Sequence, residues 1–167
     1  MKLYYCPECG AKLAKQDISK SAYKCENGHY YWNNAKAAVG IVFLNNDQIL
    51  FSKRRIEPKK GKYDLPGGFV DFNENADEAI VREAYEETNL EITNPTLLTT
   101  YKNIYIENVS TCDIIFITTM WSGIMKAKDD SESLEWKPIS FAQSDEFAWN
   151  YPNLYEKISE YKNNTRT

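Results

Sequence analysis

Residues 68–90, GFVDFNENADEAIVREAYEETNL, constrain the fold more than any other stretch because they predict a loop followed by a helix of defined length. Asn75 is followed three residues later by Glu78, which is the spacing of a helix N-cap and its capping box. Good helix formers then continue as far as Asn89. The sequence therefore predicts one helix that begins just after Asn75 and ends near Asn89.

Three glutamates interrupt the apolar face of this predicted helix. At about 100° per residue, Glu83 and Glu87 fall within the face that Ile80 and the neighbouring alanines form, and Glu86 lies at its margin. Carboxylates at these spacings repel one another, and partial burial makes their ionisation costly. Mg²⁺ or Mn²⁺ is the natural compensating cation because both prefer oxygen ligands. The alternative is a solvated acidic surface with Arg82 paired to a glutamate, but the position on the apolar face favours a metal site.

The same stretch resembles the Nudix box, in which glycine, glutamate and arginine recur at fixed spacing. The matching residues are Gly68, Glu74, Arg82, Glu83, Ala84, Glu86, Glu87 and Leu90. Asn89 stands where the family has its second glycine, and asparagine tolerates the positive φ that such a glycine takes. The preceding Leu-Pro-Gly-Gly is also typical of the segment that leads into the box.

The resemblance implies a hydrolase that cleaves the pyrophosphate bond of a nucleoside diphosphate linked to another moiety. Candidate substrates are ADP-ribose, other nucleotide sugars and nucleoside triphosphates; NADH is not favoured because the S-Q-P-W-P-F-P signature does not follow the box. The resemblance also implies that Glu83, Glu86 and Glu87 hold Mg²⁺ or Mn²⁺, joined by the carbonyl of Gly68. Glu74 is expected to brace the loop against the helix through Arg82. The alternative function is a non-catalytic nucleotide sensor.

The remaining catalytic and substrate-binding residues are predicted on either side of the box. In this family the base is often a glutamate from a late loop, which makes Glu132 the first choice and Glu135 the second, beside Glu83 and Glu86 as catalytic residues. Each of these late glutamates can equally belong to a solvated acidic loop. Arg54 and Arg55 end a predicted strand and are well shaped to hold phosphate oxygens, although a solvated strand end is the alternative.

A second metal site is predicted near the N-terminus. Cys6 and Cys9 form a C-x2-C pair, and Cys25 and His29 follow fifteen residues later as C-x3-H. This arrangement resembles a zinc ribbon, in which two short hairpins donate four ligands to one tetrahedral Zn²⁺. A segment of this size has too little apolar surface to fold unaided, so the metal supplies stability. We expect a structural or dimer-supporting role; the alternative is reduced thiols beside a surface histidine, or a docking module for a sensor.

The order of predicted elements and the resemblance together indicate an α/β fold, a Nudix-type α/β/α sandwich with a mixed sheet preceded by a zinc ribbon. Apolar and β-branched runs predict strands at residues 39–44, 48–54, 96–106, 112–121 and 134–139, and helical spacing recurs at 141–147 and 152–161. We expect a zinc ribbon over residues 1–35, a Nudix domain over 36–162 and a flexible tail over 163–167. Cys112 is predicted to be a core residue.

Composition and charge limit the location and the partners of this 167-residue chain. No apolar run is long enough to cross a membrane and the start is polar, which predicts a cytoplasmic protein. A net charge of −4 argues against binding along a nucleic-acid backbone, which calls for a basic surface. The expected partner is a small nucleotide, with neither membrane nor nucleic acid involved, and a homodimer is a further hypothesis.

Overall fold

The computed structural model of the protein describes residues 4–18 and 21–165. A small N-terminal module contains β1 (Leu13–Lys15), β2 (Ala22–Cys25) and β3 (Tyr30–Trp32). The main domain contains β4 (Lys36–Asn45), β5 (Gln48–Arg54), β6 (Tyr63–Asp64), β7 (Gly67–Phe69), α1 (Ala76–Thr88), β8 (Glu91–Ile92), β9 (Thr96–Ile106), β10 (Val109–Thr118), β11 (Trp121–Ser122), β12 (Ser131–Pro138), a 3-10 helix (Ile139–Gln143) and α2 (Leu154–Asn164).

The main domain is built on a seven-stranded mixed sheet. Five strands lie in the order β12-β5-β4-β10-β9, while β6 pairs with β5 and β7 pairs with β4. The pairing of β4 with β10 is parallel, and the other pairings in this sheet are antiparallel. A separate two-stranded sheet joins β8 to β11. The predicted mixed sheet is therefore confirmed.

Helices cover both faces of this sheet because the central strands are apolar on both faces. Along β4, Ile41 and Phe43 belong to the core cluster that contains Ile80 of α1. Val42, which alternates with them, belongs to the opposite cluster, which contains Ile158 of α2. Residues that alternate along a strand point to opposite faces. The layers are thus α1, sheet and α2, as the predicted α/β/α sandwich requires.

The N-terminal module has only a minimal core of its own. Its three antiparallel strands enclose a cluster of buried residues made of Cys6, Leu13 and Cys25. Three partly buried side chains, Ala11, Tyr23 and Tyr31, pack against that cluster. A core of this size cannot offset the conformational entropy of some thirty residues without a further cross-link.

Several predicted elements agree with the structure and others differ. The hairpin of β4 and β5 is confirmed, and β9 coincides with the predicted strand at 96–106. The helix predicted at 141–147 is instead a 3-10 helix that ends at Gln143, because the chain then turns and Phe147 enters the core beside Tyr63. Helix α2 continues to Asn164, into the predicted tail, whose residues 166 and 167 lie outside the described part.

The prediction that Cys112 is a core residue is wrong, because the structure leaves its side chain exposed. Its neighbours Thr111 and Asp113 are the buried residues of this part of β10. Strand alternation therefore directs Cys112 outward. Among the described helices, none combines the length and the apolar character that a membrane crossing requires.

Candidate active site

Helix α1 is capped at both ends by asparagines, as the sequence predicted. The side chain of Asn75 accepts hydrogen bonds from the backbone N–H groups of Asp77 and Glu78, and the Glu78 carboxylate accepts from the N–H of Asn75 at 2.9 Å. Asn89 takes the left-handed conformation with φ of 60°. Its side chain also accepts a hydrogen bond from Lys128 at 2.7 Å and donates to the Ile124 carbonyl at 2.9 Å. Asn89 therefore ends the helix and also holds the segment that precedes β12, which a glycine could not do.

The three box glutamates are buried to different degrees, as their helical positions predicted. The side chains of Glu83 and Glu86 are 12% and 46% exposed, and residue Glu87 is 8% exposed. Burial raises the pKa of Glu87 to about 8, assisted by neighbouring carboxylates and opposed by a hydrogen bond from the Gly67 N–H. Burial also raises the pKa of Glu83, against the effect of Arg82. Ionisation of these carboxylates is costly without a cation, as their predicted position on the apolar face of the helix indicated.

The paired glycines before the helix leave no room for side chains. A Cβ atom on Gly67, whose φ is 154°, would lie 2.1 Å from the carbonyl oxygen of Val39. A Cβ atom on Gly68 would lie 2.4 Å from Oε1 of Glu83. Strand β7 runs beside β4 at this point, so the backbone of Gly68 is held directly against the Glu83 carboxylate. This close approach fits the predicted role of the Gly68 carbonyl beside a metal.

Arg82 joins the loop before the helix to two of the box glutamates. Its Nε donates to Oε2 of Glu74 at 3.1 Å, which is the predicted brace. Its Nη1 donates to Oε1 of Glu83 at 2.7 Å and to Oε2 of Glu86 at 3.0 Å. These contacts raise the pKa of Arg82, most of all through Glu74. One guanidinium nitrogen thus lies between Glu83 and Glu86 and occupies one oxygen of each carboxylate.

The glutamates line one part of a cleft with a volume of about 360 Å³. This volume is within the range of small-molecule sites. The residues that line the cleft are Ala38, Val39, Gly40, Arg54, Asp64, Leu65, Gly67, Gly68, Phe69, Asp71, Arg82, Glu83, Glu86, Glu87, Asn103, Tyr105, Thr111, Asp113, Asp129, Asp130, Trp149 and Tyr151. Strands β4, β5, β6, β7, β9 and β10, helix α1 and four connecting segments contribute to it.

The two predicted substrate-binding arginines occupy different environments. Arg54 lines the cleft, where its Nη1 donates to Asp64 at 2.9 Å and its Nε donates to the Pro58 carbonyl at 2.7 Å. Arg55 is exposed and does not line the cleft; its guanidinium donates instead to the carbonyl of Asp129. The structure therefore places Arg54 in the cleft of the glutamates and leaves Arg55, one residue beyond the end of β5, outside it.

The structure does not bring the two predicted bases into the cleft. The Glu132 side chain is 49% exposed and lies 3.3 Å from Nζ of Lys53. Glu135 accepts hydrogen bonds from Tyr63 and Ser133. Glu132 falls at a β-bulge where the pairing of β12 with β5 shifts, which directs it away from the glutamates of α1.

Asp129 and Asp130, from the same acidic segment, line the cleft instead. The charge of Asp129 contributes to the raised pKa of Glu83, and that of Asp130 contributes to the raised pKa of Glu87. Both aspartates therefore lie close to the box glutamates. The signal in the sequence that could have identified them is the acidic pair itself, which comes immediately before β12.

The cleft also has an aromatic wall that sequence reasoning missed. The ring of Trp149 lies 5.6 Å from that of Tyr105, which lies 5.2 Å from that of Phe69. Trp149 donates its indole N–H to Asp64 at 2.7 Å. Burial raises the pKa of Asp64, although Arg54 and Trp149 act in the opposite direction. The three rings come from three separate segments, so no local pattern could have indicated this wall.

The four predicted zinc ligands come together in the N-terminal module. Their ligand atoms all lie within 4.8 Å of one another, and the cysteines are free thiols. Sγ of Cys9 lies 3.8 Å from Sγ of Cys25, and Sγ of Cys6 lies 3.6 Å from Nδ1 of His29. Tetrahedral Zn²⁺ with ordinary bond lengths places such pairs about 3.8 and about 3.5 Å apart. The donor set therefore fits zinc.

Two further contacts favour metal ligation in this module. Nδ2 of Asn27 donates to Sγ of Cys9 at 3.4 Å, and this hydrogen bond is the main reason why the pKa of Cys9 falls to about 6. A carboxylate oxygen of Glu8 lies 3.8 Å from Nε2 of His29. A carboxylate at the far nitrogen of a ligating histidine is a common arrangement because it orients the ring.

Comparisons with known proteins agree on one family. The chain matches a NUDIX domain over residues 34–158. It is 32% identical over 155 residues to the ADP-ribose pyrophosphatase of Methanocaldococcus jannaschii, across 92% of this chain and 89% of that protein. It is 31% identical over 90 residues to the NAD-capped RNA hydrolase NudC of Photorhabdus laumondii, which covers 54% of this chain but only 35% of that protein. The first of these matches is long enough to extend into the N-terminal module.

Solved structures share the fold. The crystal structure of a NUDIX hydrolase from Nitrosomonas europaea superimposes with a TM-score of 0.70 at 20% identity, over 98% of this chain and 93% of that one. The crystal structure of a MutT NUDIX hydrolase from Burkholderia pseudomallei gives a TM-score of 0.61 at 25% identity, over 64% of this chain and 85% of that one. The first of these likenesses, at its low identity, bears on the fold alone.

Proposed function

The chain belongs to the NUDIX family of pyrophosphohydrolases, and from that premise we propose that it hydrolyses ADP-ribose or a closely similar nucleoside diphosphate sugar in a metal-dependent reaction. The observation that carries the proposal is that Glu83, Glu86 and Glu87 line one cleft with Gly68, and that this cleft continues to an aromatic wall. Through a bound divalent cation the glutamates would hold the negatively charged diphosphate, and the wall suits the rest of the nucleotide. The archaeal relative, matched over most of its length, supports ADP-ribose as the first substrate to test.

The metal site of the proposal consists of Glu83, Glu86, Glu87 and the carbonyl of Gly68, with Mg²⁺ or Mn²⁺ as the cation. The donor set is all oxygen, as these ions prefer. Burial, with a smaller contribution from neighbouring carboxylates, raises the pKa values of Glu83 and Glu87, and a bound cation would offset that cost of ionisation. A bound divalent cation supplies neutralisation of the diphosphate charge and stabilisation of the leaving phosphate. Glu87 is held in place for this role by the Gly67 N–H at 3.0 Å.

The proton of the attacking water needs an ionised carboxylate within reach. Asp129 and Asp130 line the cleft beside the box glutamates, whereas Glu132 does not. We therefore assign general-base catalysis to one of these two aspartates, with Glu86, the most exposed box glutamate, as the remaining candidate. Arg54 is proposed to bind the substrate, since it is the predicted arginine that lines the cleft.

The proposed function is tested by a screen of nucleotide substrates with Mg²⁺, run beside the Glu86→Gln variant. ADP-ribose, nucleotide sugars and nucleoside triphosphates are compared, and the products are identified by chromatography. Hydrolysis of ADP-ribose to AMP and ribose 5-phosphate, lost in the variant, is the expected result. Tight binding without turnover of any substrate would instead establish the sensor function, which the full set of box glutamates argues against.

A further inference from the structure

Strands β9 and β10 place a group of polar and aromatic side chains on one face of the sheet. Tyr101, Asn103 and Tyr105 alternate along β9, and Thr111 and Asp113 alternate along β10. The register pairs Asn103 with Thr111 and Tyr101 with Asp113, so all five share one face. Four of them line the cleft, Tyr101 being the exception. None of them belongs to α1 or to the glycine loop, so they form a part of the cleft separate from the box glutamates.

Two of these side chains are buried acceptors with unused hydrogen-bonding capacity. Asp113 is 5% exposed, and its Oδ2 accepts from the Tyr151 hydroxyl at 2.9 Å. Its other carboxylate oxygen, Oδ1, takes no part in that hydrogen bond. Thr111 is 3% exposed, and its hydroxyl has no partner within residues 4–18 and 21–165. A buried polar atom without a partner costs about 1–3 kcal/mol, and native proteins hold few of them, so the Thr111 hydroxyl, which lines the cleft, points to a ligand.

The aromatic wall lies beside these acceptors and is held rigidly. Trp149 is fixed by its hydrogen bond to Asp64, and its ring is tilted by 33° from that of Tyr105. The ring of Tyr151, which donates to Asp113, stacks on Tyr101 at 4.7 Å with planes 9° apart. A wall of oriented aromatic rings binds flat heteroaromatic rings well, because each base presents a π face.

We propose that Asp113, Thr111, Tyr105 and Trp149 form the subsite that binds the base of the substrate, and that this subsite selects a 6-aminopurine. The base stacks against the wall of Tyr105 and Trp149, and its exocyclic amino group donates to Oδ1 of Asp113. An ionised carboxylate can only accept hydrogen bonds, so it favours an amino group and repels a carbonyl oxygen at the same position. This inference rests on the proposed function, since it assigns one part of the same cleft.

The test compares ADP-ribose with inosine diphosphate ribose, which carries an oxygen in place of the 6-amino group. Both substrates have the same diphosphate and riboses, so a difference between them reports on the base alone. The native protein is expected to prefer ADP-ribose in kcat/KM by at least about tenfold. Asp113→Asn should raise KM for ADP-ribose by about tenfold and leave kcat within about threefold. It should also reduce the preference for ADP-ribose over inosine diphosphate ribose, because an amide N–H can donate to the 6-oxygen. An equal fall in kcat/KM for the two substrates in Asp113→Asn would overturn the assignment.

Cys112→Ser provides the matched control. It changes the adjacent residue of the same strand, whose side chain is exposed on the opposite face. Both kinetic constants and the preference should remain as in the native protein. If Cys112→Ser altered the preference as strongly as Asp113→Asn, the effect would belong to strand β10 in general and the base subsite would be rejected.

A second variant and a binding measurement distinguish an effect on base binding from an effect on folding or on turnover. Tyr105→Leu removes one ring of the wall without touching the Asp113–Tyr151 hydrogen bond, and it should weaken AMP binding by about tenfold. Calorimetry with AMP and IMP, without a divalent cation, measures base selection directly. Preferential binding of AMP that Asp113→Asn abolishes, in a protein that hydrolyses nothing, would sustain the subsite and reject the proposed function. Hydrolysis of ADP-ribose without any AMP over IMP preference would sustain the function and reject the subsite.

Discussion

The N-terminal module and helix α1 each offer a set of metal ligands, but they are assembled in opposite ways. In the module, four donor atoms lie within 4.8 Å of one another beside a small core cluster of Cys6, Leu13 and Cys25. On α1, the carboxylates project from a helix that has its own caps and packs on a large core, and Arg82 lies between two of them. We therefore expect a metal in the module to contribute to folding and a metal on α1 to contribute chiefly to chemistry. The two sites should accordingly respond differently when ligands are removed.

Substitution of a box glutamate should give the largest loss of activity with the smallest loss of stability. Glu86→Gln removes a proposed metal ligand that is half exposed, so kcat/KM for the substrate should fall by at least about 100-fold. The thermal midpoint of the metal-free protein should be unchanged. Steady-state kinetics and differential scanning calorimetry check both statements. Glu91→Gln, an exposed substitution beyond the end of α1, is the control and should leave both quantities as they are.

The acidic segment before β12 allows a sharper test of the cleft. Asp129→Asn and Asp130→Asn should be compared, and the variant that removes the general base should lower kcat by about 100-fold, which is the usual size of such a contribution. Glu132→Gln should stay within twofold of the native rate, because Glu132 lies outside the cleft. Pre-steady-state measurement of product formation checks this. A large effect of Glu132→Gln alone would restore the original prediction of Glu132 as the base.

In the N-terminal module, substitution of a proposed metal ligand should lower stability more than activity. Cys6→Ser removes one of four zinc ligands, so bound zinc should fall from about one equivalent to well below it, and β1 to β3 should lose protection against hydrogen exchange. Turnover should remain within about threefold, because no module residue lines the cleft among those that the structure describes. Elemental analysis, mass-detected hydrogen exchange and kinetics measure the three quantities. Full zinc occupancy in the variant, or equal protection of β1 to β3, would contradict a structural zinc site.

The smallest expected effect concerns the cap of α1. Asn75→Ala removes the hydrogen bonds to the N–H groups of Asp77 and Glu78, and should lower the free energy of unfolding by about 1 kcal/mol. Asn75→Ser keeps an N-cap acceptor and should cost only a few tenths of a kcal/mol. Urea denaturation measures both. A loss of activity in Asn75→Ala without a loss of stability would show that the cap serves the metal site rather than the helix.

The helix and its ligands could be predicted in detail because their determinants are local. Asn75, Glu78 and Asn89 act on backbone groups within four residues, and the burial of Glu83 and Glu87 follows from the 3.6-residue period. The four ligands of the N-terminal module were identifiable for a similar reason, since their residue types and spacing carry the chemistry. Neither inference required knowledge of strand order.

Predictions about the rest of the cleft were less accurate, because it is assembled from distant segments. Trp149 follows Tyr105 by 44 residues in the sequence, and the two rings meet only when α2, β9 and β10 have packed. Within the acidic segment, a single bulge at the start of β12 decides that Asp130 rather than Glu132 faces the glutamates. Side-chain direction in a strand changes with every residue, so a register shift of one position reverses the outcome.

By itself, the sequence determined the position and caps of α1, the three glutamates that it presents and the Cys/His ligands, since each depends on neighbours along the chain. Only the tertiary structure decided that Arg82 lies between Glu83 and Glu86, and that Asp129 and Asp130 line the cleft while Glu132 does not. It also decided that Cys112 faces outward while Asp113 faces the cleft. Those outcomes depend on strand register and on contacts between segments tens of residues apart, which local composition does not encode.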